Sequence, residues 1–74
     1  MNKKYFVVEM DTKDDGTVNT SITARSTFSG ALSLYHDRYS KMCVTEQFTK
    51  VALSLVDEEL EVVQHDVIVP NTEP

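Results

Sequence analysis

The sequence predicts an α+β fold of order ββαββ, a four-stranded antiparallel sheet with one helix packed on one face. Three features point to it. Apolar residues alternate at period two toward both ends of the chain. A central stretch instead repeats its apolar residues at steps of three and four. Turn residues, Asp15-Gly16 and Asp57-Glu58-Glu59, split each end into two strands. Two hairpins joined by a helix close most simply as a single antiparallel sheet.

The first strand is expected over residues 5–10. Phe6, Val8 and Met10 share one face; Tyr5, Val7 and Glu9 share the other. Residues 11–16 read as a turn, in which Gly16 takes positive φ at no steric cost. The second strand, residues 18–24, sets Val18, Thr20, Ile22 and Ala24 against a polar face of Asn19, Ser21 and Thr23. That asymmetry predicts an edge strand with its polar side in water. Ser26 or Thr27 is suited to cap the helix, because a hydroxyl there accepts from the first unpaired N–H groups.

The helix is expected to run to about Met42. Phe28, Leu32, Tyr35, Tyr39 and Met42 form its apolar stripe, widened by Ala31 and Leu34. Gly30 lowers helix propensity by about 1 kcal/mol relative to Ala, which suggests a close approach to the sheet. A connector over 43–47 leads to a third strand at 48–56. There Val51, Leu53 and Leu55 share a face opposite Ala52, Ser54 and Val56. The fourth strand, residues 60–69, alternates imperfectly, which predicts a bulge near Gln64-His65 or burial on both faces at its ends. Residues 1–70 form the single domain, and 71–74 are expected to be a flexible tail after Pro70.

A 74-residue chain is short for a self-sufficient core. Such a chain buries only about 60% of its unfolded surface. Disulfides, metals or oligomerisation commonly compensate. Cys43 is the sole cysteine, which excludes an internal disulfide and suits a reducing compartment. One helix of about four turns covers only one face of four strands. The uncovered face is expected to carry Tyr5, Val7, Ala52 and Val56 and to serve as a homodimer or partner surface.

The net charge is −5, and it is unevenly placed. Asp57, Glu58, Glu59, Glu61, Asp66 and Glu73 follow one another without any Lys or Arg between or after them. Direct nucleic-acid binding is disfavoured, because counterion release needs several bases on one face. A basic protein surface is the better match, with Asp57, Glu58, Glu59, Glu61 and Asp66 as its expected contacts. No apolar run reaches the length of a signal peptide or a membrane span. The expectation is a cytoplasmic protein with no membrane partner.

Catalytic and metal motifs fail on inspection. Asp11, Asp14 and Asp15 suggest a calcium loop, but Lys13 and Ile22 stand where an EF-hand needs oxygen ligands. His36, His65 and Cys43 match no zinc spacing. Cys43 follows a helix C-terminus, where the dipole disfavours a thiolate. The two glycines form no phosphate loop, and an RNA-binding sheet would need more aromatics and a basic surround. The chain is therefore read as non-enzymatic, with no cofactor.

Four segments carry a resemblance: Tyr5-Phe6-Val7-Val8-Glu9, Asp15-Gly16-Thr17, Ser33-Leu34-Tyr35-His36 and Val51-Ala52-Leu53-Ser54-Leu55. Together they resemble small uncharacterised proteins of phages, prophages and mobile elements of Gram-positive gut bacteria. The resemblance implies a protein that binds a host protein, such as a nucleic-acid-handling one with a basic surface. An anti-CRISPR or other anti-defence inhibitor is one such role. The alternative is a structural or assembly accessory that homodimerises through its open sheet face.

Overall fold

The computed structural model describes residues 3–71. Its elements are β1 (Tyr5–Thr12), β2 (Val18–Arg25), α1 (Phe28–Met42), β3 (Lys50–Asp57) and β4 (Val62–Ile68). The strands form one antiparallel sheet in the order β2-β1-β3-β4, with the two hairpins meeting through β1 and β3. The expected ββαββ architecture is what the chain adopts. Each strand of the first hairpin runs one or two residues further than alternation predicts.

The two hairpins turn in the same way. Lys13 N donates to Thr17 O at 2.8 Å, and Gly16 N to Lys13 O at 3.0 Å. At the other hairpin Asp57 N donates to Glu61 O at 3.1 Å, and Leu60 N to Asp57 O at 3.0 Å. The third loop residue must take positive φ in this geometry. Gly16 does so at +89°, and Leu60 does so at +63° with a side chain that resists it.

Thr27 caps α1, its Oγ1 accepting from Gly30 N at 3.1 Å. A Cβ on Gly30 would lie 3.0 Å from that same oxygen. Gly30 thus makes room for the capping hydroxyl rather than for the sheet.

The core lies between α1 and one face of the sheet. Ala31, Tyr35 and Met42 of the helix meet Val7, Val51, Leu53, Leu55 and Ile68. Phe28 and Tyr39 flank the stripe and are largely exposed. Tyr35 is fully buried, and its hydroxyl donates to Asp66 Oδ2 at 2.6 Å, tying the helix to β4.

The register corrects the expected faces of β1. Tyr5 pairs with Asp57 and Val7 with Leu55, so Tyr5 and Val7 lie on the helix side. Val7 is 3% exposed there, and Tyr5 packs edge-on against Phe28 at 5.4 Å. Ala52 and Val56 do lie on the uncovered face. The irregularity in β4 is a register shift between Leu55 and Val56, which leaves Val63 as the extra residue. Asn71, at the start of the expected tail, donates its N–H to Cys43 O and its Nδ2–H to Thr45 O. The rest of that tail, residues 72–74, lies outside the described residues.

Replacing Tyr35 by Phe removes a hydrogen bond to a charged group, a loss of about 2 kcal/mol. Urea unfolding of Tyr35→Phe should show that drop as a lower midpoint at unchanged slope.

Candidate functional site

The face opposite α1 is built from the residues that alternate with the core. β1 contributes Phe6, Val8 and Met10. Paired with them on β2 are Ala24, Ile22 and Thr20, with Val18 beyond. Ala52 and Val56 follow on β3, and Val67 and Val62 on β4. Met10 is 45% exposed and Ile22 64%. Val18, Val62 and Val67 are comparably open. Val56 is nearly buried, flanked across the ladders by Phe6 and Val62.

Polar groups on this face are few. Ser54 and His65 pair across the strands, Oγ to Nδ1 at 3.0 Å. Lys50, at one end, is the one formally charged residue that the paired strands place on it among the described residues. Sequence reasoning missed most of this surface because it placed the charge-free side of β1 inward.

The inward side of β1 instead carries two acids, Glu9 and Asp11, both buried. Arg38 of α1 reaches Glu9 with two bonds, Nε to Oε1 at 2.7 Å and Nη2 to Oε2 at 2.9 Å. This fork holds the Glu9 carboxyl below its usual range and raises Arg38 further. Asp11 has no such partner, and its Oδ1 is buried without a hydrogen bond among the described residues. Burial and the adjacent Glu9 push Asp11 up to about 6.

The five acids expected to form a partner surface separate in the structure. Asp57 is 4% exposed, and its Oδ1 accepts from Glu59 N and Glu61 N. These backbone bonds hold its carboxyl low. Asp57 thus shapes the β3–β4 turn from a buried position. Asp66 lies under the helix and accepts from Tyr35. Glu58, Glu59 and Glu61 remain exposed around the tip, with Lys3 reaching Asp57 and Glu59 and Lys4 N donating to Glu58. At their centre Leu60 is 77% exposed.

Among the described residues no group of three or more His, Cys, Asp or Glu could hold a metal ion. No helix among them is long and apolar enough to cross a membrane. No protein-family model, curated protein or solved structure matches the chain.

Asp11 gives stability a distinctive pH dependence. Its folded pKa, about 6, lies above the ordinary value of 3.8. The protonated form is therefore favoured by folding, and that contribution is full below about pH 4 and lost as pH rises through 6. Asp11→Asn should raise the melting temperature at pH 7 and flatten its decline between pH 4 and 7. Thermal melts across that range measure it, and an equal decline in both proteins would refute the assignment.

Proposed function

We propose that the chain is a non-catalytic binding protein whose open sheet face is closed by a second copy of itself. The observation that carries this is the concentration of exposed Met10, Val18, Ile22, Val62 and Val67 on one uncovered, nearly uncharged face. Size supports it. Four strands about 4.8 Å apart and eight residues at about 3.3 Å each span roughly 500 Å² in projection. Side chains standing above that plane enlarge the accessible area. Two such faces together meet the ~1,000 Å² of a stable biological interface.

Charge supports the same occupant. Two copies carrying −5 each repel wherever their acids approach. Among the described residues the strands place no acid on this face, so it is the surface on which two acidic chains can meet. A basic partner would find no complementary charge on these residues, and an anionic membrane only Lys50 at one end. Stacked sheets of this kind pack about 10 Å apart with their strands nearly aligned.

Sedimentation tests the reading with Met10→Lys, which places a charge at the middle of the face without touching the core. The sedimenting mass should halve while the circular dichroism spectrum stays native. A wild-type chain that stays monomeric when concentrated would refute the proposal, as would a Met10→Lys chain of unchanged mass.

A second reading, binding of a basic host protein as an inhibitor encoded by a phage or mobile element, is supported by the β3–β4 turn. Leu60 is an exposed apolar side chain in a costly backbone conformation, ringed by Glu58, Glu59 and Glu61. An apolar anchor within an acidic rim suits a pocket bordered by Lys or Arg. Leu60→Gly relieves the strain and removes the anchor together. It should raise the melting temperature, yet weaken capture of a basic nucleic-acid-handling protein at least tenfold. Undiminished capture by Leu60→Gly, and by a chain with the three glutamates changed to Lys, would remove this reading.

A further inference from the structure

The sheet has two edges, and they are built differently. β4 carries the bulge at Val63, turns Asp66 inward and is followed by Pro70. All three are devices that discourage another strand from pairing. β2 has none of them. Its eight residues, Val18–Arg25, pair without irregularity along β1 and contain no Pro, Gly, Lys, Asp or Glu. The helix touches β2 but leaves most of it exposed, and of its residues only Thr23 is half-buried.

The ladder shows which backbone groups β2 offers. Lys13 N donates to Thr17 O, so these two form a hydrogen-bonded pair. Hydrogen-bonded pairs recur at every second position in an antiparallel ladder. Asn19, Ser21, Thr23 and Arg25 thus bond inward to β1, and Val18, Thr20, Ile22 and Ala24 point their N–H and C=O outward. The Ala24 carbonyl fits this assignment, since it accepts from its neighbour's Arg25 Nη1 at 2.9 Å in the absence of a strand partner.

We infer that β2 pairs antiparallel with β2 of a second copy, about a two-fold axis through Ser21, to make one continuous eight-stranded sheet. This register sets Thr20 against Ile22 and Val18 against Ala24 of the other copy, so every outward residue finds a hydrogen-bonding partner. It also places Arg25, the one charge on β2, opposite Thr17 of the other copy, beside the turn that carries Asp14 and Asp15. The basic end of each strand thus meets the acidic turn of its mate, which favours a second copy over an unrelated extended peptide. The two open faces become one, with Ile22 from both copies at the seam. The edge is separate from the open face, and the pairing stands whether or not that face is closed.

Ser21 and its symmetry mate form a non-hydrogen-bonded pair, whose Cα atoms lie about 4.5 Å apart, within the span of a disulfide. The test therefore uses Ser21→Cys in a Cys43→Ser background under mild oxidation. A disulfide-linked dimer should form at least tenfold faster than in a Ser33→Cys control on the exposed helix. Thr20→Pro removes one outward N–H while leaving the bonds to β1 intact, and should abolish the acceleration in a chain that still folds by circular dichroism. Repeating the oxidation with Met10→Lys present separates the two surfaces: linkage should persist even where face closure is lost. Linkage no faster than the control, linkage that survives Thr20→Pro, or an edge that takes up only added extended peptides would overturn the inference.

Discussion

Arg38 decides which side of the sheet is inside. A carboxylate in the middle of a strand ordinarily directs its face toward water, since an isolated buried charge costs several kcal/mol. Here the guanidinium on α1 meets Glu9 with a two-bond fork, and Glu9 can lie beneath the helix. Once Glu9 is inward, period-two alternation sends Phe6, Val8 and Met10 outward. The apolar open face follows from one ion pair on the opposite side.

That arrangement trades stability for surface. The three apolar residues of β1 are the ones a monomer would gain most by burying, at about 25 cal/mol per Å² of apolar area. They are displaced by two acids, and Asp11 retains a buried oxygen with no hydrogen bond among the described residues. A chain this small has little excess stability to give up. The placement is physically coherent when the outward face is itself covered, because the apolar residues then count toward the stability of the assembly.

Most of the architecture was legible in the residues. The Gly16 turn holds, Thr27 of the two cap candidates caps the helix, and of the stripe Ala31, Tyr35 and Met42 are buried with Leu32 and Leu34 packed beside them, while Phe28 and Tyr39 stay exposed; each rests on short-range rules. The choice of face on β1 was not legible, because it depends on the register between β1 and β3. Alternation groups Tyr5 with Val7 and Leu53 with Leu55, but it does not say whether those two groups share a side. The missing signal is long-range: Arg38, Glu9 and the pair Glu9–Leu53 lie far apart in sequence. The separate placement of the acids was not legible for a similar reason. Charge counted along the chain does not separate Asp57, used to build a turn, or Asp66, used to hold Tyr35, from the acids left in solvent.

The two proposed surfaces are compatible with each other. Pairing through β2 uses a two-fold axis normal to the sheet, while closing the open face uses an axis lying between two sheets. When the second axis runs across the strands and intersects the first, the two are perpendicular and the set closes at four copies. Each eight-stranded sheet then covers the other, and no β2 edge stays free to recruit more chains. The outer edges of both sheets are β4, where the bulge, Asp66 and Pro70 already oppose further pairing. The unequal protection of the two edges thus matches an assembly that grows across β2 and stops at β4.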